Sequence, residues 1–330
     1  MITATGLHPL GDLPLVSGET LPGAVLSWKT YGTLSPARDN VILYPTSYGA
    51  RHMDQEWLIG PNGILDPTRW FIVTPDMFAN GLSSSPSTTP AWPGLVTAAD
   101  NVYAQRRLLT EVFGIDHLHA VYGFSMGAQQ VYHWAALCPD QVARAIVVCG
   151  SARTSVHNQV FLRGLMAVLR AAPEYQTDTT FTPEPDKSKR AFGRIYAGWA
   201  LSQDFYRANL HRTALGAPDL ETFLITDWED RFIRRPAADH MAQLKCWDAG
   251  DIAQGGDLAN ALNRIAARIL LMPGATDLYF RVADNEAELP HLRSATLLPI
   301  PSLWGHRAGN PASNPQDEAF LKTAVRAFLD

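Results

Sequence analysis

At 330 residues, 46 % hydrophobic and 18 % charged, the chain holds enough apolar content to bury one large core with a subdomain inserted into it. A formal charge of -5, from 27 Lys+Arg against 32 Asp+Glu, leaves no basic surplus for phosphates. With no Lys/Arg cluster interleaved with aromatics, the balance argues against nucleic acid as a partner. The opening MITATGLHPL lacks the charged and apolar regions of a secretory signal, and no apolar stretch approaches membrane-spanning length. The expectation is a cytoplasmic protein with no membrane contact.

The first third alternates short apolar runs with turn signals. GAVLSWKTYGTL (23–34), NVILYP (40–45) and RWFIVTP (69–75) read as strands, the first two separated by SPARD. From Thr97 the period becomes helical through Val102, Leu108, Leu109 and Val112, until Gly114 stops it. HLHAVYG (117–123), the turn FSM, a helix from about Gly127 to Leu137 and ARAIVVCG (143–150) then give a strand, turn, helix, strand succession. Such alternation predicts a parallel sheet with crossover helices.

Residues 156–250 carry no clear strand pattern. FLRGLMAVLRAA, SKRAFGRIYAGWALSQDFYR and PAADHMAQLKCWD read as helices, with PEYQTDTTFTPEPDKS as a polar connector between the first two. The division expected is a core of residues 1–155 and 251–330 with a helical lid, 156–250, over the sheet's C-terminal edge, where open α/β sheets bind ligands. Assignment of some of these helices to the core itself stays open. ARILLMPG (267–274) and ATLLPI (295–300) resume the strand pattern, and EAFLKTAVRAFL (318–329) is an amphipathic closing helix.

The strongest chemical signal is Gly123-Phe124-Ser125-Met126-Gly127, a G-x-S-x-G between a predicted strand and a predicted helix. That context marks a nucleophile elbow and with it the α/β-hydrolase fold. A serine on so tight a turn needs small neighbours two residues to either side. The Met126 amide, at a helix N-terminus, supplies one oxyanion donor. A second is expected from Thr46-Ser47-Tyr48-Gly49 after the NVILYP strand, with Ser47 the choice and Thr46 the runner-up.

A serine hydroxyl needs a histidine to take its proton and a buried carboxylate to orient that ring. His306, in SLWGHRAGN after the last predicted strand, reaches back over the nucleophile, whereas His291 precedes that strand and His133, His157, His211 and His240 lie on or near helices. Asp277 emerges one loop beyond ARILLMPG, at the same sheet edge as Ser125. Its rivals are Asp251 and Asp257, which precede the strand, and Asp284, which opens a helix.

The run VYGFSMGAQQVYHWAALCPDQV resembles the nucleophile segment of the homoserine O-acetyltransferase family. YGTLSPARDNVIL, DPTRWFIVTPDMFANGLSSSP, PGATDLYF and the Gly-His of WGHRAG carry the likeness further. The resemblance implies a nucleophile, acid and base at Ser125, Asp277 and His306, a helical lid and a homodimer. Two departures concern the acceptor. Arg307 stands where the family has an aspartate that helps hold the amino group of homoserine, and a cation there repels an ammonium. The family's carboxylate-gripping arginine falls near Met166, with Arg163 and Arg170 only neighbours.

These departures favour a serine esterase acting on small, largely apolar carboxylic esters, with water as acceptor. The alternatives are an acyl-CoA-dependent O-acyltransferase and, from another class, a binding protein that has kept the fold. No cofactor or metal is expected, since the histidines lack ligand spacing and Cys138, Cys149 and Cys246 are widely separated. These cysteines read as reduced, mostly buried and not catalytic. Trp57, Trp92, Trp199, Trp228 and Trp247 suit a core better than an acyl pocket, and GLSSSPSTTP (81–90) reads as a surface loop.

Overall fold

The computed structural model describes residues 2–330. Eight strands form one sheet: β1 (Thr3–Pro14), β2 (Thr20–Tyr31), β3 (Val41–Leu43), β4 (Phe71–Pro75), β5 (Ala120–Phe124), β6 (Arg144–Val148), β7 (Arg268–Met272) and β8 (Ala295–Leu297), in the spatial order β1-β2-β4-β3-β5-β6-β7-β8. From β4 onward every pairing is parallel, and β1 and β2 add an antiparallel edge.

The central strands are short apolar runs because both of their faces are covered. Val121, Val147 and Leu271 point into one core, with Val102 and Leu108 of α1 (Ala98–Phe113) and Val131 and Trp134 of α2 (Met126–Leu137). Their neighbours Tyr122, Ile146 and Leu270 point the other way, onto Leu321 and Val325 of the C-terminal helix. This is the two-residue alternation of a strand. Thr97 caps α1 through the Asp100 amide, and Gly114 ends it in a left-handed conformation, φ 64°.

Between β6 and β7 run α3 (Val156–Arg170), α4 (Asp186–Ala200), a string of short helical segments over 203–233, α5 (Ala237–Asp248) and a short helix, Leu258–Asn263. The polar connector holds a small hairpin, Tyr175–Thr177 against Thr180–Phe181. These helices bury a second, aromatic core: Phe161, Phe192, Tyr196, Phe205, Trp228 and Trp247. Met126 at the start of α2 and Tyr279, Phe280 and Trp304 from loops, all at the C-terminal edge of the sheet, belong to the same cluster. That contact seats the helical block over that edge. After β7 follow α6 (Val282–Glu288) and, at the end, α7 (Pro315–Leu329).

Two features depart from the sequence reading. β1 lies in a segment where no strand was expected, and the serine-rich stretch 81–90 is a surface loop only in part, with Ser87, Thr88 and Pro90 exposed. Ser83, Ser84 and Ser85 are buried. The Ser83 and Ser84 hydroxyls accept from the Ser27 and Val25 amides at 2.9 Å each, which satisfies β2 backbone where β4 no longer pairs with it. The three cysteines are free and buried, and among the described residues no helix is long and apolar enough to cross a membrane.

Candidate active site

β5 delivers Ser125 into a turn with φ 59° and ψ -127°, a strained conformation for a residue with a side chain. The turn is fixed by backbone. The Ser125 amide donates to Val148 O at 3.0 Å, and its carbonyl accepts from the Gln129 amide at 3.0 Å. A Cβ on Gly123 would stand 2.3 Å from Gly127 O, and one on Gly127 would stand 2.9 Å from Pro45 O. Strand and helix cross this closely because both positions are glycine.

Ser125 Oγ lies 2.8 Å from His306 Nε2, and His306 Nδ1 lies 2.7 Å from Asp277 Oδ2, all three side chains being buried. A carboxylate only accepts, so Nδ1 carries the proton and Nε2 is left to accept from the hydroxyl. The other Asp277 oxygen accepts from the Tyr279 and Phe280 amides at 2.7 and 3.3 Å. Phe124, Tyr279 and Phe280 surround the imidazole.

The rival acids and bases are occupied elsewhere. Asp257 caps a short helix, Asp251 pairs with Arg153 at 3.0 Å, and Asp284 accepts from the Arg281 amide at the start of α6. His291 is exposed, and His133 is buried against Gln129 O at 2.8 Å. Cys149 places its sulfur within 4.8 Å of the Asp277 and His306 ligand atoms. Both imidazole nitrogens are already hydrogen-bonded, however, and burial pushes the Cys149 thiol well up, away from the thiolate a metal takes. The grouping is packing.

Ser47 lines the cavity with Ser125, and neither its amide nor that of Met126 is bonded among the described residues. The Thr46 amide donates to Pro75 O at 3.2 Å, so the runner-up donor is already engaged. Gly49, at φ 64°, turns its amide to Gln243 Oε1 at 2.7 Å. One turn earlier on the same helix, His240 Nδ1 accepts from the Tyr48 hydroxyl at 3.2 Å, its Nε2–H donating to Phe232 O at 3.1 Å. Burial pushes this imidazole down to about 4, so it stays neutral. The sequence reading weighed His240 only as a rival base and did not single out Gln243, although their i, i+3 spacing puts them on one helix face.

The cavity above Ser125 measures about 620 Å³. Tyr44, Trp57, Phe124, Tyr196, Trp228 and Phe232 give it aromatic walls, so two of the five tryptophans face it, while Trp92, Trp199 and Trp247 pack in the cores. Five arginines also line it: Arg51, Arg231, Arg234, Arg235 and Arg307. The sequence reading found no basic cluster among aromatics. Three of the five come from the run Arg231-Phe232-Ile233-Arg234-Arg235, and the fold adds the other two.

Comparison with known proteins comes to the same architecture. The alpha/beta hydrolase fold family matches residues 40–306. The chain is 35 % identical over 308 residues to an ethyl acetate hydrolase of Pseudomonas veronii, covering 90 % of this chain and 87 % of that one. It is 29 % identical over 307 residues to a homoserine O-succinyltransferase of Bordetella pertussis, covering 81 % and 74 %. Among solved structures, the acetyl esterase MekB superposes with a TM-score of 0.94 at 31 % identity, over 99 % of this chain and 96 % of that one.

Proposed function

The chain belongs to the α/β-hydrolase fold family, and from that premise we propose that it cleaves small carboxylic esters through an acyl-enzyme on Ser125. One observation carries the assignment: the unbroken relay from Ser125 Oγ through His306 to Asp277, at 2.8 and 2.7 Å, opening on an aromatic cavity. As Oγ attacks the ester carbonyl, His306 Nε2 takes its proton, and Asp277 stabilises the resulting imidazolium. The Met126 and Ser47 amides receive the oxyanion. The alcohol leaves with the proton from Nε2, a water enters, and the same relay releases the acid.

In this reading the helices of residues 156–250 act as a lid, supported by their seat over the strand ends and by the aromatic side chains they give the cavity. Cytoplasmic residence and a homodimer complete it, and cell fractionation and sedimentation velocity test them. The likeness to a homoserine O-succinyltransferase carries a second reading, in which an alcohol rather than water accepts the acyl group. Arg307 weighs against homoserine as that alcohol.

The deciding experiment offers the acyl-enzyme from p-nitrophenyl acetate to water, homoserine and simple alcohols and quantifies the products. Acetate as the main product, with turnover lost in Ser125→Ala, is the expected result. O-acetylhomoserine as the main product establishes the transferase instead, and an unchanged rate in Ser125→Ala removes both. A fluorophosphonate probe adds an independent check, since an inert scaffold leaves Ser125 unlabelled.

A further inference from the structure

The charge around the cavity runs against that of the chain. The whole protein carries -5, yet the cavity wall holds five arginines and two carboxylates, Asp54 and Asp227. Asp54 is bound to Arg235 at 3.3 Å. No carboxylate lies within 4.0 Å of the Arg307, Arg231, Arg234 or Arg51 guanidinium among the described residues. Asp227 stands near Arg307 without forming an ion pair.

Arg307 follows His306 directly, so this charge sits beside the reacting centre. Its Nη1 is shut off from solvent and has no hydrogen-bond partner among the described residues. The guanidinium has the Trp304 ring 5.8 Å away, with Asp227, Tyr206 and a second cation, Arg231, nearby. Burial, and then Arg231, pull its pKa down to about 10 against the opposing pull of Asp227 and Tyr206, so it remains charged at neutral pH without an ion-pair partner among the described residues. The residue as a whole is half-buried, so a partly desolvated guanidinium without an ion-pair partner is left facing the cavity, where an incoming anion would meet less competition from water. A wall with surplus positive charge and guanidinium N–H donors is complementary to an anion with several acceptor oxygens.

We propose that Arg307, with Arg231 beside it, receives a carboxylate carried by the ester substrate, so that the esters this enzyme prefers are monoanions. The inference rests on the esterase reading of the same site and revises one part of it, the expectation of a largely apolar substrate. The aromatic walls suit the hydrocarbon between the ester and the anion. The anion can belong to the acyl part, as in a dicarboxylic acid monoester, or to the alcohol part, as in the ester of a hydroxy acid.

Two matched pairs separate these sources: monoethyl succinate against ethyl 4-methylpentanoate, and acetoxyacetate against isobutyl acetate. In at least one pair the anionic ester is expected to exceed its neutral isostere in kcat/KM by about tenfold or more. Arg307→Met should bring that ratio to one or below, chiefly through KM, and added NaCl should lower it in the wild-type enzyme. Hydrolysis of the neutral esters with no anionic preference, or a preference that survives both the substitution and salt, overturns the inference and leaves the esterase standing. Should Arg307→Met not fold, the salt titration of the wild-type ratio decides. Absence of turnover on all four esters and on p-nitrophenyl acetate removes the esterase reading and this inference together.

Discussion

The turn that holds Ser125 and the helices of residues 156–250 border the same cavity by different means. Around Ser125 backbone packs on backbone: Gly123 against Gly127, Gly127 against Pro45 O, the serine amide on Val148 O. The helical block instead presents large side chains, Tyr196, Trp228, Phe232 and Arg231, and although Gly193 packs against Trp228 O inside the block, its glycines at 164 and 198 have open space where a Cβ would be. Backbone contact of the first kind fixes one geometry and tolerates no substitution, whereas a wall of side chains can change its lining without moving the chain. Reaction chemistry belongs with the first region and ester selectivity with the second.

The sharpest way to break this division is at the relay itself. Asp277→Asn keeps the shape of the side chain but can present an N–H to His306 Nδ1, which turns the imidazole to the tautomer whose Nε2 carries a proton and cannot accept from Ser125. A fall in kcat of about 10⁴-fold with an unchanged circular dichroism spectrum is expected. A loss below about tenfold would mean that the carboxylate is not orienting the ring.

Next in size comes a pair of alanines, one in each region. Gly123→Ala forces a methyl to 2.3 Å from Gly127 O, where neither backbone segment can yield. Overpacking of this kind costs about 3 kcal/mol or more, read as a fall in the urea midpoint or as failure to fold. Gly164→Ala lies in α3 with nothing within 4 Å, and there the same change should stabilise by about 0.5–1 kcal/mol through helix propensity. Equal responses at the two positions would erase the contrast.

Much of this was legible locally. The β5 run, its glycine-flanked serine and the following helix each show their period within a dozen residues, and the chain order of acid and base follows from the strands on either side of Asp277 and His306. β1 was not legible, because it is an exposed edge strand with Pro9, Gly11 and a register shift between them, features that read as turn. The burial of the loop residues Ser83 and Ser84 was not legible because the amides they satisfy are 56 and 59 residues away. The arginine-lined wall was hidden for the same reason: Arg51, Arg231 and Arg307 meet only when the helical block is seated.

A buried carboxyl in the core region gives a pH-dependent effect of intermediate size. Glu288 accepts from Tyr132 Oη, the Ala152 amide and Asn285 Nδ2 at 2.6, 2.7 and 2.8 Å, tying α6 to α2 and to the end of β6. Burial outweighs these donors and pushes its pKa up to about 7 from 4.5. Between those values the folded protein holds a proton that the unfolded chain has released, so stability is highest below the lower pKa, declines as pH rises toward 7, and levels off above it. The decline should amount to about 1–3 kcal/mol. Glu288→Gln, which cannot ionise, should flatten this part of the stability curve. Parallel wild-type and variant curves between pH 5 and 8 would show that Glu288 does not titrate there.

The smallest effect is expected where the two regions touch. Gln243 of α5 accepts from the Gly49 amide at 2.7 Å, and His240 on the same helix face holds Tyr48, so the helical block fixes the loop that offers the Ser47 amide. Gln243→Ala leaves the Gly49 amide without its acceptor and frees that loop to tilt, while the Ser125, His306 and Asp277 contacts remain. An oxyanion donor matters most in the transition state, so kcat should fall by about threefold to tenfold with KM little changed. A rise in KM at constant kcat would make Gln243 part of the substrate-binding wall alone. Loss of kcat comparable to that of Asp277→Asn would show instead that the helices govern the chemistry as strongly as the sheet loops do.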